Sequence, residues 1–120
     1  DAVRATGAKV ILMTPNPLRW TPGMQTKYGQ SPYDPNSPEG FNLILSQYAA
    51  AVRGLAKDME VPLVDVARLH LEVELTSKEP LLSDGMHPNR RGHELVAQLL
   101  VDEILRERLL TPFKNIPAQK

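Results

Sequence analysis

Apolar residues recur at spacings of three and four in three stretches of the chain, and this rhythm predicts amphipathic helices. The first helix runs from Phe41 to Met59, the second from Val66 to about Leu75, and the third from Arg90 to Leu110. Ala2 to Gly7 resembles the last turn of a further helix, with the glycine as its C-cap. The apolar face of the first helix is expected to comprise Phe41, Ile44, Tyr48, Ala51, Val52, Leu55 and Met59.

Two short runs of branched and apolar residues predict buried strands. One is Ala8 to Met13, closed by Thr14-Pro15, and the other is Val61 to Asp65. The order strand, helix, strand, helix, helix is typical of an α/β fold with a parallel sheet between helices. Because such a sheet needs more than two strands and cover on both faces, we expect the chain to require a partner segment.

The zone from Pro15 to Pro38 contains six of the eleven prolines. Proline removes backbone donors, so no regular element is predicted there. A loop of this length inside a compact domain is usually functional or disordered. Asn36 or Ser37, followed by Pro38 and Glu39, offers a capped entry to the first long helix.

Composition and charge exclude several classes of protein. Fourteen Lys and Arg residues balance fourteen Asp and Glu residues, and no block of like charge occurs, which argues against a nucleic-acid footprint. The absence of cysteine excludes disulfide frameworks and thiolate chemistry. The longest apolar runs, such as Val10 to Met13, are too short to span a bilayer.

The segment Ser83-Asp84-Gly85-Met86-His87-Pro88-Asn89 places a carboxylate and an imidazole three residues apart on a tight loop before a helix. At this spacing Asp84 can accept a hydrogen bond from one nitrogen of His87, leaving the other nitrogen as a general base toward a serine hydroxyl. The loop follows the strand region, where an open α/β sheet exposes its ligand crevice. Alternatively, Asp84 only caps backbone donors near the helix start.

The segment Asp84 to Asn89, followed by Gly92-His93 and an apolar helix, resembles the last conserved block of the SGNH (GDSL-like) hydrolases. Two upstream segments resemble family strands in the same order: Ala8 to Pro15, and Val61 to Val66. The resemblance spans roughly Val3 to Leu110. It implies a flavodoxin-like, three-layer α/β fold with a parallel sheet, of which residues 1–110 would be only the C-terminal part. The tail from Thr111 to Lys120 is expected to be irregular.

The same resemblance implies a serine esterase, either lipase-like or acting on carbohydrate esters, with His87 as general base and Asp84 as its orienting partner. In the family, the nucleophile is a serine in a Gly-Asp-Ser motif near the N-terminus, and glycine and asparagine donors complete the oxyanion hole. This chain contains no such motifs. We therefore expect the N-terminal segment of the same hydrolase to supply them. No metal or organic cofactor is implied, and the compartment is left open, with a secreted or periplasmic setting favoured.

Other side chains that could bind a ligand or a metal also have simpler structural roles. In the proline-rich zone, Arg19, Trp20, Tyr28 and Tyr33 could bind a carbohydrate or acyl group at a pocket rim, or could anchor the loop, as favoured for Trp20. A metal site of Asp84, His87 and His93 matches no common ligand spacing. We expect His70 to face solvent on its helix, and Asp65 to cap the helix beginning at Val66 in preference to facing the crevice.

The missing nucleophile keeps a second class of function open. The serines Ser31, Ser37, Ser46 and Ser83 fit loop, cap or helix-surface positions better than a nucleophilic one, and the asparagines Asn16, Asn36, Asn42, Asn89 and Asn115 stand outside the family's oxyanion context. A non-catalytic α/β binding module, or a truncated inactive relative, is therefore the alternative to an esterase. A flavodoxin-like nucleotide domain is disfavoured because no glycine-rich phosphate loop occurs.

Overall fold

The computed structural model describes residues 2–34, 36, 40 and 42–110. Within these residues the chain forms two strands and five helices, in an order that agrees with the alternation expected of an α/β protein. Along the sequence they are α1 (Ala2–Ala5), β1 (Leu12–Met13), α2 (Pro22–Tyr28), α3 (Asn42–Asp58), β2 (Leu63–Val64), α4 (Val66–Ser77) and α5 (Arg90–Arg106).

The two strands pair in parallel, as their placement in the sequence predicted. Leu12 lies opposite Leu63, and Met13 lies opposite Val64. The Leu12 amide donates to the Pro62 carbonyl at 2.9 Å, and the Thr14 amide donates to the Val64 carbonyl at 3.1 Å. Both strands are shorter than the apolar runs that predicted them. The described chain is thus a mixed helical domain around a small parallel sheet.

Helix α3 packs against β1 through a face that differs in part from the predicted one. Ala49 and Ala56 are 2% and 4% exposed, whereas Tyr48 and Leu55, both assigned to the apolar face, are 61% and 49% exposed. The inner face of α3 is therefore marked by the two alanines, and the larger Tyr48 and Leu55 lie toward solvent. Phe41, also assigned to that face, lies outside the described residues.

The prediction that no regular element crosses Pro15 to Pro38 is wrong, because α2 lies within it. Thr21 is the N-cap of this helix, and its hydroxyl accepts the Met24 amide at 3.2 Å. Pro22 follows at the first helical position, where a missing backbone donor costs nothing. Met24 is buried and fixes the short helix against the body of the protein.

Some sequence predictions fall on undescribed positions. Ser37, Pro38 and Glu39, proposed to begin α3, lie outside the described residues, as does the tail from Thr111 to Lys120. Asn36, the alternative cap, is exposed in a turn and its backbone amide donates to Asp34.

Asp65 is the N-cap of helix α4, as expected, and its carboxylate accepts the Arg68 amide at 3.2 Å. The expectation that His70 faces solvent is wrong, since this side chain is fully buried. Helix α5 packs on both β2 and α4, so the inner face of α4 is covered. Helical periodicity alone could not locate His70 because the strongly apolar residues of this segment alternate with polar ones and so do not mark a single face of the helix.

Asn89 is the N-cap of helix α5, and its side-chain oxygen accepts the Gly92 amide at 2.9 Å. It ends at Arg106, one turn before the predicted Leu110. Gly92 lies so close to the chain before the helix that an added Cβ would stand 2.5 Å from the Leu81 carbonyl oxygen. This close contact fixes the start of α5 against the loop that carries Asp84 and His87.

Candidate active site

A short antiparallel bridge holds the base of the loop that carries Asp84 and His87. Leu82 pairs with Pro88 in this bridge. The Ser83 amide donates to the His87 carbonyl at 2.8 Å, and the Asn89 amide donates to the Leu81 carbonyl at 2.9 Å. The loop therefore leaves the body of the protein and returns to it within a few residues, immediately before α5.

Asp84 uses its two carboxylate oxygens for two different tasks. Oδ1 accepts the backbone amides of Met86 at 2.9 Å and His87 at 2.8 Å. Oδ2 lies 2.7 Å from Nδ1 of the His87 ring. Capping of backbone donors and pairing with the imidazole, which the sequence offered as alternatives, occur together in the same residue.

These contacts favour the ionised form of Asp84. The His87 backbone amide, the His87 ring and the Met86 amide all donate to the carboxylate, and together they lower its pKa well below the ordinary value. A carboxylate held this way accepts the proton on Nδ1, which fixes the ring tautomer with Nε2 unprotonated when the imidazole is neutral.

The histidine side chain stands at the surface. The side chain of His87 is 71% exposed and that of Asp84 is 56% exposed. Among the described residues, no hydrogen bond to Nε2 is found. The neighbouring Ser83 hydroxyl donates to the His87 carbonyl at 3.0 Å, so its own hydrogen-bonding capacity is directed at the backbone. The arrangement can accept a proton at Nε2 from a group brought to the surface from elsewhere.

The loop after β1 forms hydrogen bonds to the segment between Asp84 and His87. Asn16 donates from Nδ2 to the Met86 carbonyl at 3.1 Å, and the Arg19 amide donates to the Gly85 carbonyl at 2.8 Å. Gly85 adopts φ +91°, and an added Cβ would stand 2.5 Å from the Arg19 carbonyl oxygen. Only glycine permits this approach. The contact of Asn16 was not predicted from the sequence, because nothing in the Pro-Asn-Pro context indicates a hydrogen bond to Met86, seventy residues away.

The four weaker candidates occupy different surroundings. Arg19 reaches the His87 loop through its backbone, while its guanidinium pairs with Glu74 of α4 and donates to the Leu18 carbonyl. Partial burial lowers the pKa of Arg19. Trp20 packs against Gly40 so closely that any side chain at Gly40 would overlap the indole.

The two tyrosines are half-buried in and after α2. Tyr28 is the last residue of that helix, and the Lys27 ammonium lies 5.1 Å from the centre of its ring. The Tyr33 amide donates to the Gln30 carbonyl in the turn that follows. These contacts describe how the loop is held, and a role of any of the four side chains in substrate binding stays a prediction.

A cleft of about 580 Å³ lies between α3, α4 and the loop after β1. Its lining is largely apolar, with Pro17, Leu45 and Leu71 among the contributors. Its described lining includes neither Asp84 nor His87. The Asp84–His87 pair therefore lies outside this cleft.

No cluster of three or more potential metal ligands occurs within residues 2–34, 36, 40 and 42–110. His93 is exposed on the first turn of α5. Over that same part of the chain, no helix has the length and apolar character required to cross a membrane.

The chain was compared with models of known protein families. The model of the GDSL-like Lipase/Acylhydrolase family matches residues 1–95, which include the whole loop from Ser83 to Asn89. Searches of curated proteins and of solved structures gave no match.

Proposed function

The chain belongs to the GDSL-like lipase/acylhydrolase family, and from that membership we propose that it supplies the general base of a Ser-His-Asp triad in ester hydrolysis. His87 is the base and Asp84 its orienting partner. The observation that carries the proposal is the 2.7 Å contact between Nδ1 of His87 and Oδ2 of Asp84. It leaves Nε2 without a hydrogen-bond partner in the described part of the chain, on an exposed loop.

The proposed reaction has two halves. A serine hydroxyl attacks the ester carbonyl and loses its proton to Nε2 of His87, and the same proton then passes to the departing alcohol as the acyl–oxygen bond breaks. Water next attacks the acyl-serine and gives a proton to Nε2. That proton returns to the serine as the carboxylic acid leaves. In both halves Asp84 stabilises the imidazolium that forms.

We propose that the serine and the oxyanion donors come from a segment outside these 120 residues. In support, the described serine hydroxyls with known partners bond to backbone: Ser46 to the Leu43 carbonyl, Ser77 to Val73 and Ser83 to His87. The same segment would add strands to the sheet and complete a flavodoxin-like, three-layer fold. An oxyanion donor alone contributes about 10²–10³ in rate, so the chain without that segment should be nearly inert.

Among ester substrates we favour carbohydrate acetates. The Thr14-Pro15 end of β1, the aromatic side chains of the proline-rich zone and the His87-Pro88-Asn89 form of the motif support this subclass. Aromatic faces beside polar groups suit a sugar ring at the rim of a site. The alternative is a non-catalytic binding module, which the absence of a Gly-Asp-Ser motif favours.

The test replaces His87 by alanine in the gene product that contains these residues and measures hydrolysis of p-nitrophenyl acetate. We expect H87A to lower kcat by about 10³-fold or more, because loss of the base disables the triad. The matched control is H93A, an exposed histidine on the same part of the chain, which should retain the wild-type rate. Equal rates in H87A and H93A would end the triad assignment in favour of the binding module.

A further inference from the structure

We infer that Asn16 is a positioning residue for the His87–Asp84 pair, acting through the peptide group that joins Met86 to His87. The inference rests on the proposed function for its catalytic consequence. Its structural part stands on contacts within the described chain and can be tested apart from activity.

The peptide group between Met86 and His87 is held at both ends. Its carbonyl oxygen accepts the Asn16 Nδ2 donor at 3.1 Å, and its N–H donates to Asp84 Oδ1 at 2.8 Å. A peptide group is planar, so two hydrogen bonds from opposite sides fix its rotation about the chain. That rotation sets the direction in which the His87 side chain leaves the backbone.

The preceding peptide group repeats the pattern. The Gly85 carbonyl accepts the Arg19 amide at 2.8 Å, and the Met86 amide donates to Asp84 Oδ1 at 2.9 Å. Two successive peptide groups are therefore clamped between the loop after β1 and the Asp84 carboxylate. The hydrogen bond from Arg19 comes from its backbone amide, so most substitutions of Arg19 retain it. The hydrogen bond from Asn16 depends on its side-chain amide.

The clamp matters because the pair it holds is exposed. The side chains of His87 and Asp84, 71% and 56% exposed, lack the packing that fixes buried catalytic groups. Their orientation therefore depends on hydrogen bonds to the loop backbone. Asn16 itself is half-buried and also donates to the Pro17 carbonyl at 3.1 Å, so its amide is already oriented within its own loop.

The test compares two variants at Asn16 with one control. Asn16→Asp keeps the shape but removes both donors, and Asn16→Ala removes them without adding charge. Gln47→Glu makes the same amide-to-carboxylate change on the exposed surface of α3. All three are judged first by their urea midpoints, so that the comparison is made between folded proteins.

The first readout is the His87 ring, observed by nitrogen-15 NMR in the gene product that contains these residues. We expect the ring shifts of wild type and Q47E to place the proton on Nδ1 when the imidazole is neutral, and those of N16D and N16A to show a larger share of the Nε2-protonated tautomer. Unchanged shifts in both folded Asn16 variants would overturn the inference. Loss of the folded state in both would overturn it too, since Asn16 would then serve folding alone.

The second readout is hydrolysis by the gene product that contains these residues. Misplacement of a base should lower kcat by about ten- to a hundredfold while KM stays within about twofold. If H87A abolishes activity while N16D leaves both kcat and the NMR signal unchanged, positioning by Asn16 fails and the triad stands. If N16D alters the His87 ring while H87A does not alter the rate, the triad fails and the clamp stands.

Discussion

Asp84 remains a carboxylate over the whole range in which an esterase works. Its three hydrogen bonds from Met86 and His87 keep its pKa below the ordinary value of 3.8. Protonation of Asp84 therefore cannot produce an acid limb above that pH in a rate profile. Because Oδ1 bonds the loop backbone and Oδ2 bonds the His87 ring, Asp84 links the imidazole to the same loop backbone that Asn16 contacts.

His70 is the other histidine whose surroundings have a measurable consequence. Its side chain is completely buried in α4, and among the described residues neither ring nitrogen has a hydrogen-bond partner. Burial lowers the pKa of His70, and the nearby Arg19 charge lowers it further. Arg19 is itself paired with Glu74 on the same helix. A buried ring of this kind is neutral in the folded protein.

We expect His70 to make the protein less stable as pH falls below about 6.5. The unfolded chain takes up a proton on His70 near 6.5, whereas the buried ring does so only at lower pH. The unfolded state therefore binds more protons, and the free energy of unfolding falls by up to about 1.4 kcal/mol for each pH unit until the folded ring also protonates.

The measurement is urea unfolding of wild type and His70→Leu between pH 7 and pH 5. The leucine variant cannot take up the proton, so its stability should decline less over this interval. Asp65 and Asp84 also have lowered pKa values, but they act below about pH 3.8 and leave this interval unaffected. Identical pH dependence in the two proteins would show that His70 does not titrate as its burial requires.

At the scale of elements, the start of α4 is joined to the end of β1 by a buried hydroxyl. Thr14 is 3% exposed. It donates to Asp65 Oδ1 at 3.0 Å and accepts the Ala67 amide at 2.9 Å. Arg53 of α3 adds two bonds to the same carboxylate, at 2.7 and 2.9 Å. Burial raises the pKa of Asp65, but the bonds from Arg53, Arg68 and Thr14 outweigh it, so the pKa is lowered overall.

Replacing Thr14 by valine should destabilise the fold by about 1–3 kcal/mol. The substitution keeps the shape and leaves the partly buried Ala67 amide without its acceptor. Chemical denaturation measures the loss. Thr26→Val is the matched control, because its hydroxyl bonds to the Pro22 carbonyl on the exposed surface of α2 and its removal should cost within about 0.5 kcal/mol. Equal midpoints for the two variants would contradict the buried junction.

The sequence predicted the order and type of the main elements because each strand and long helix has a local pattern. It failed where local pattern was weak or misleading. Prolines suggested an irregular zone, yet Thr21 and Pro22 begin α2 in the way helices commonly begin. Tyr48 and Leu55 had the right spacing for a buried face, but the alanines beside them are the buried residues.

In the candidate site, too, local contacts could be predicted from the sequence and long-range contacts could not. The contact between Asp84 and His87 could be anticipated because the two residues are three positions apart on one loop. The contact of Asn16 with Met86 could not, since it joins segments seventy positions apart and depends on how the strands pair. The burial of His70 likewise depends on packing between helices.

At the scale of the whole molecule, the described chain leaves much apolar surface uncovered. The largest fully buried side chains are Leu81, His70 and Val64, a small core. The large apolar residues that are at least 42% exposed occur on several elements: Val3, Met13, Leu43, Tyr48, Leu55, Leu71, Leu75, Val101, Leu105 and Leu110. Burial of apolar area drives association, so this surface supports the proposal that a further segment completes the sheet and brings the serine.

The central claim is that Asp84 and His87 serve a catalytic serine that lies outside these residues. Its most direct test is covalent labelling of the native protein with a fluorophosphonate, followed by measurement of the intact mass under denaturing conditions. The proposal predicts an adduct on a longer chain or on a second polypeptide, and loss of that adduct when His87 is replaced by alanine. A lone 13.4 kDa species without an adduct, or an adduct that persists in H87A, would contradict it.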